Sequence, residues 1–318
     1  MLKTVAETAD LINRQKLLHI SGSRSLLRKL PCGNWIGGST EYFMGKTGGQ
    51  VNDQRLDVRE LNFDTYKFAL YDVGHLTDIT KDAYSNGFSI AIMPFDSDVH
   101  IEFAKNASNY EDIFLKNIVG WISGCTVKGI DPMVIDGRTG DVFDDKAVVL
   151  HVSLPEEKTV SIGIVNIFTP EENSPVIEFT EDSFHITTCL IDGKEDVLAD
   201  YLLKNKINTK LPLIGDYSGT GINIGIKSVG NGVVEAFAPV FKGIEYRTAK
   251  NIGNYAEAFR EHINSIGNLE SEFACICFLN FLHGELEGED LGGFYGPITL
   301  GEIAYQFVNQ SLVYMQIV

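Results

Sequence analysis

Apolar residues recur at a helical spacing over residues 3–18, where Val5, Ala9 and Ile12 follow Leu2 on one side, until Ser21-Gly22-Ser23 ends the pattern. Over residues 31–49 the periodicity gives way to Pro31-Cys32-Gly33-Asn34-Trp35-Ile36-Gly37-Gly38 and Gly45-Lys46-Thr47-Gly48-Gly49, a composition suited to tight turns and close backbone approach. From about residue 66 the chain reads as a run of α/β elements. The pattern predicts a strand over 88–95, a helix over 109–118 and a strand running into Ser123-Gly124-Cys125-Thr126. Val, Ile and Phe dominate 147–154 and 160–168, with Pro155-Glu156-Glu157-Lys158 between them, which predicts two consecutive antiparallel strands. A helix over 195–206 leads into a strand over 211–215, and Gly230-Asn231-Gly232 joins 222–229 to 233–241 as a hairpin. The last elements predicted are a helix over 255–266 stopped by Gly267, a buried strand over 273–282 and a closing strand over 311–318.

The expected fold class is mixed α/β: two packed lobes with largely antiparallel or mixed sheets flanked by helices. The pattern shows no Pro- or Ser-rich linker and no short-period repeat. The expected divisions are residues 1–60 as an N-terminal helix and Gly-rich segment, 61–245 as a first lobe and 246–318 as a second, with the boundary in the loop near 243–250.

Length and charge narrow the function. A chain of 318 residues with 44% apolar residues buries a substantial core. Its net charge of −17, from 26 basic and 43 acidic residues, argues against nucleic acid and anionic membranes as partners. No apolar run reaches the length of a membrane span and no signal-peptide core is present, so a cytoplasmic location is expected. Five cysteines, scattered among apolar neighbours, suit reduced thiols better than a disulfide framework.

Several motifs fall short of the chemistry they suggest. Gly45-Lys46-Thr47 ends like a phosphate-binding loop, but Thr40 stands where the first glycine is required. Gly219-Thr220-Gly221 is followed by a strand-like alternation that offers no helix N-terminus to a dinucleotide. In Gly215-Asp216-Tyr217-Ser218-Gly219 the serine comes one place too late for a nucleophile elbow. Read as an extended chain, Asp96, Asp98 and His100 align on one side as weak candidates for a divalent cation, weighed against a solvated edge. Cys275 and Cys277 lack redox spacing and read as core residues.

The segment Asp290-Leu291-Gly292-Gly293-Phe294-Tyr295-Gly296-Pro297-Ile298-Thr299-Leu300-Gly301-Glu302-Ile303, followed by Asn309-Gln310-Ser311-Leu312-Val313-Tyr314, resembles the closing segment of FIST sensory domains. Gly124-Cys125-Thr126 and Leu211-Pro212-Leu213-Ile214-Gly215-Asp216 resemble two turns of the same family, with Asp216 where a second glycine is usual. The resemblance covers about residues 60 to 318 and implies two FIST-like lobes forming a small-ligand sensor. It further implies an amino-acid-like ligand and a signalling protein acting in trans, since no output domain is attached. The ligand residues it implies are Gly124, Cys125, Thr126, Gly215, Asp216, Tyr217, Gly293, Phe294, Gly301 and Glu302, with Glu302 receiving an ammonium group. Some members of the family are haem-based nitric-oxide sensors, so haem is a second reading, with His100 or His283 as the axial ligand. An enzyme with dispersed catalytic residues and an adaptor without a ligand are the remaining alternatives. No catalytic residue is assigned.

Overall fold

A computed structural model describes residues 1–217, 219–267 and 270–318; Ser218 of the failed elbow motif lies outside the described residues. The fold is mixed α/β with several mixed and antiparallel sheets flanked by helices. Its organising feature is a unit that occurs three times. Each copy has an edge strand, a helix, a strand, a second helix, a strand parallel to the first, a hairpin and a returning strand.

The first copy comprises strand Leu2–Lys3, helix Val5–Asn13, strand Leu17–Gly22, helix Arg24–Leu27, strand Trp35–Ser39, the hairpin Tyr42–Gly45 with Gly48–Val51, and strand Leu56–Leu61. The second runs through Tyr66–Tyr71, helix Asp78–Asp82, Gly87–Pro94, helix Asp98–Asn106, Ile118–Ser123, the hairpin Val134–Asp136 with Asp141–Phe143, and Ala147–Ser153. The third runs through Val160–Val165, helix Tyr255–Ile266, Phe273–Cys277, helix Phe278–His283, Gly296–Thr299, the hairpin Glu302–Ala304 with Gln306–Val308, and Leu312–Ile317. Between its first strand and first helix the third copy carries an insertion with two further sheets, which contains the 243–250 loop.

Each copy contributes four strands to its own six-stranded sheet and donates its hairpin to another. The first copy's hairpin joins Gly296–Thr299, the second copy's joins Trp35–Ser39, and the third copy's joins Ile118–Ser123. The exchange is therefore cyclic. Within each sheet one glycine allows two parallel strands to approach. A Cβ on Gly37, Gly120 or Gly296 would lie 2.6, 1.8 or 2.0 Å from the carbonyl oxygen of Ile20, Ala91 or Ala274 on the neighbouring strand.

The three sheets face a shared interior, where Leu17, Ile36 and Val134 of one sheet meet Ile90, Trp121 and Leu150 of the second and Phe273 and Met315 of the third. At this junction Trp121 Nε1 donates to His19 Nε2 at 2.9 Å, and the edges of His19 and Phe273 also meet. His19 therefore carries its own proton on Nδ1. The helices cover the outer faces, over apolar clusters of their own.

Several predicted elements shift. The first helix stops at Asn13 because Gln15 adopts φ 58°, and residues 17–22 form a strand. Residues 109–118 form no α-helix: a 3-10 turn at Ile113–Leu115 follows the left-handed Asp112, and the helix lies earlier, at Asp98–Asn106, with Ser97 Oγ capping the His100 amide. Strand Val160–Val165 pairs with Leu312–Ile317 instead of its predicted neighbour, which pairs with Tyr66–Tyr71 and Gly87–Pro94. The predicted strand 273–282 turns helical at Phe278. Helix Tyr255–Ile266 forms as predicted. Among the described residues no helix is long and apolar enough to cross a membrane.

Gly38 tests the packing of the sheets. Its Cα faces Ile92 and Trp121 across the interior, and an added Cβ would lie 2.7 and 2.8 Å from them. Gly38→Ala should lower stability by about 1–3 kcal/mol in urea unfolding, whereas Gly230→Ala, which meets open space, should cost under about 0.5 kcal/mol. Equal effects would show that the sheets do not pack in this way.

Candidate functional site

The repetition creates three equivalent seams, each between a donated hairpin and the edge and returning strands of the copy that donates it. The seams differ in what fills them. In the second copy Arg138 lies over the Phe68 ring at 5.0 Å and is held by Asp136, while Lys146 lies over Phe143. In the third copy the insertion covers the seam and leaves a cavity of about 260 Å³. In the first copy the seam is open as a cleft of about 750 Å³.

This open cleft is lined by Leu2 and by Phe43, Met44 and Val58, whose own side chains are buried, with Tyr295 contributed by the third copy. The hairpin at its mouth explains the Gly-rich segment. Lys46-Thr47 forms a two-residue turn between paired Gly45 and Gly48, and Gly48 takes φ 91°. A Cβ on Gly48 would lie 2.1 Å from the Gly288 carbonyl carbon, so only glycine fits beneath that loop. The hairpin is further tied by Gly288 N donating to Gly49 O. Gly45-Lys46-Thr47 is thus a turn at a cleft and not a phosphate loop. Sequence reasoning placed no ligand here, although the glycine spacing was the available signal.

Charge is distributed unevenly around the cleft. Arg59 is committed to the carbonyls of Ser271, Glu272 and Tyr295, at 2.6, 2.9 and 2.8 Å, and joins the first copy to the third. Lys3, Lys46 and Arg55 also line the cleft, and among the described residues they make no ion pair. Glu60 lies in the wall and approaches Lys16 at 3.7 Å. In a chain of net charge −17, this concentration of cations at one cleft is a local exception.

The sequence-derived ligand residues do not converge on one surface. Glu302, Phe294 and Gly301 are buried; Phe294 packs in the core against Tyr314, and Gly301 packs against Phe307. Gly293 accepts from Ser271 Oγ through its carbonyl. Gly124 and Cys125 are buried where the second copy's strand turns, beside the partly exposed Thr126. Gly215, Asp216 and Tyr217 lie on an insertion strand; Asp216 accepts from Gly219 N and the Tyr217 hydroxyl lies 3.5 Å from that of Tyr246. The opposing strand of this hairpin supplies Thr220–Asn223 to the 260 Å³ cavity, which Asn309 and Ser311 line from the other side. Glu302 stands directly behind Ser311.

His100 is fully buried among the rings of Phe95, Phe184 and Phe307, and its Nδ1 accepts from Asp96 N. This packing leaves no room for a haem face. Asp96 sits in a left-handed turn and Asp98 begins a helix, so the extended alignment with His100 does not form, and the described residues contain no cluster of three metal-ligating side chains. His283 is half-buried with its edge against Tyr255. Ser89, His151, Tyr71 and Asp82 form a hydrogen-bonded row, but Ser89 and His151 are sealed beneath the sheet.

Burial sets the ionisation of four interior groups. It raises Glu302 from 4.5 to about 8, with hydrogen bonds from Ser311 and Thr299 opposing, and it lowers His19, His100 and His151 from 6.5 to about 4, 3 and 4. The native state holds the Glu302 proton more tightly than the unfolded chain, so its contribution is present below pH 4.5 and is lost as pH rises through about 8. The histidines act oppositely: the native state prefers them neutral, and stability falls as pH drops below 6.5. The melting temperature should therefore peak near pH 6.5. Between pH 6.5 and 8 the loss attributable to Glu302 should be about 1–2 kcal/mol, and it should disappear in Glu302→Gln. An unchanged alkaline slope in that variant would exclude Glu302 as its source.

From residue 3 to residue 318 the chain matches a family of unknown function, DUF6976, and it belongs to that family. No curated protein matches it.

Proposed function

We propose that this protein binds a small organic acid with an apolar body in the cleft of the first copy and acts as a sensory protein, passing its bound state to a separate signalling protein. The observation that carries the reading is the pairing of a cleft of about 750 Å³ with Lys3, Lys46 and Arg55, none of which makes an ion pair among the described residues. A cleft of this size encloses a ligand of a few hundred daltons, and a few polar groups at its rim set the orientation. The carboxylate belongs at the cationic rim and the apolar body beside the partly exposed Leu2 and Tyr295. An amino acid with a large side chain also fits this pattern, with Glu60 available to its ammonium group.

The cleft spans two copies, and this favours a sensor. Its floor and turn belong to a hairpin seated in the third copy's sheet, while its other wall is the first copy's own returning strand. A ligand that bridges them stabilises one relative placement of the two. The FIST-like segment 290–314 supports the same class of function and includes Tyr295 in the cleft wall.

The test is a thermal-shift titration with phenylalanine, 3-phenylpropionate and 3-phenylpropionamide. Both carboxylates should raise the melting temperature, by the equivalent of about 2.7 kcal/mol at a hundred times the dissociation constant, and the neutral amide should not. Arg55→Glu should weaken binding by tenfold or more without lowering the melting temperature of the free protein, because Arg55 is exposed. Recovery of the ligand intact after prolonged incubation separates a sensor from an enzyme. An equal response to the amide, or one indifferent to Arg55→Glu, would overturn the assignment.

A further inference from the structure

Glu302 occupies a position whose equivalents in the other copies are known. The pairings Glu302 with Trp121, Phe43 with Pro297 and Val134 with Gly38 make Glu302, Phe43 and Val134 counterparts on the three hairpins. Phe43 and Val134 are buried apolar side chains, as the interior demands. The third copy alone places a carboxyl there, fully buried, with no lysine or arginine among the groups that shift its ionisation. Such burial is unfavourable unless the polar atoms are hydrogen-bonded.

The surroundings satisfy both charge states of this carboxyl. When it is ionised, Oε1 accepts from Thr299 Oγ1 at 2.9 Å, and Oε2 accepts from Ser311 Oγ at 2.8 Å and Ser311 N at 3.3 Å. When Oε1 is protonated, it donates to Thr299 Oγ1, whose own hydrogen turns to the Gly301 carbonyl at 3.1 Å. One hydroxyl rotation exchanges the two arrangements with no backbone movement. The other titratable groups facing Glu302 are Cys275 and Cys277 on strand Phe273–Cys277 of the third copy's own sheet and Tyr255 on the covering helix, all kept neutral by burial. His262 stands across the cavity.

Ser311 connects this buried acid to the 260 Å³ cavity. Its hydroxyl hydrogen is committed to Glu302, so what it presents to the cavity is a lone pair. The remaining wall combines the amides of Asn166 and Asn223 with the apolar Ile164, Ile222 and Val308. The register of the returning strands aligns Ser311 with Arg55 and Lys146, each immediately before its strand. Where two copies carry a cation, the third has a hydroxyl backed by an acid.

We infer that this cavity is a second binding site, independent of the open cleft, for a small primary amine with a short apolar chain. The ammonium group donates to Ser311 Oγ, and Glu302 releases its proton to solvent as the amine enters, so that the carboxylate balances the new charge. One ammonium is taken up and one proton leaves.

The experiment is calorimetric titration of the full chain with n-propylamine at pH 7, in phosphate and in MOPS, whose ionisation heats differ. The expected result is saturable binding with close to one proton released per amine, and no binding of propionamide, which has the shape without the charge. Glu302→Gln keeps the neutral hydrogen bonds and should fold as the wild type does near pH 6.5, bind the amine at least about tenfold more weakly and release no proton. Absence of propylamine binding, heats independent of the buffer, or equal binding of propionamide would each overturn the proposal. The buffer comparison on the wild type decides the matter even if the variant does not fold.

Discussion

The hairpin that each copy places in another copy's sheet is the constraint on which the rest of this structure depends. Without it each sheet would end at the parallel strand following its second helix, leaving a row of unpaired amides and carbonyls beside the shared interior. With it, each sheet is completed by residues distant in sequence, and the glycines at 37, 120 and 296 hold the receiving strand close to its neighbour. The interior around Trp121, His19 and Phe273 then contains side chains from all three sheets, with a polar contact at its centre that fixes the histidine tautomer.

The same architecture also shows where the copies have diverged. Equivalent seams hold a stacked arginine in one case, an open cleft rimmed by cations in another, and a small covered cavity backed by an acid in the third. A repeated scaffold tolerates such differences because the seams lie outside the interior, at the ends of the donated hairpins. Within the interior, Glu302 and His19 are polar side chains at positions that are apolar in their counterparts, Phe43 and Val134 for the first and Ile90 and Phe273 for the second.

Much of the secondary structure was legible in the sequence, since amphipathic period and caps act locally. Helix Tyr255–Ile266, with Asn254 capping its start, ends at Gly267 as its spacing implies. The pairing of strands was less legible. Val160–Val165 looks like half of a hairpin because Pro155 to Lys158 makes a good turn, yet its partner lies at Leu312–Ile317, and nothing local records that choice. The repeat was invisible for a related reason: beyond the glycines at 37, 120 and 296 the copies share positions and pairings more than residue identities, and Phe43, Val134 and Glu302 have no common chemistry to align. Of the site, the resemblance singled out Glu302 but placed it in reach of ligand when it lies behind Ser311. The open cleft stayed hidden because its walls come together only through the exchange.

The cyclic exchange also sets a timetable for the chain as it leaves the ribosome. The hairpin ending at Val51 is made early, but the strand that receives it, Gly296–Thr299, emerges about 250 residues later, a delay of tens of seconds at roughly 5–20 residues per second. The first copy's own sheet is completed earlier, once Val134–Phe143 has emerged, but throughout the interval its hairpin is unhoused, and Phe43 and Met44 lack their native cover. The nascent protein therefore passes through a long stage in which sticky surface is exposed and no single segment can close on itself. The last hairpin to emerge, Glu302–Val308, meets a receiving strand already made, so assembly of the ring ends at the segment that carries the buried acid.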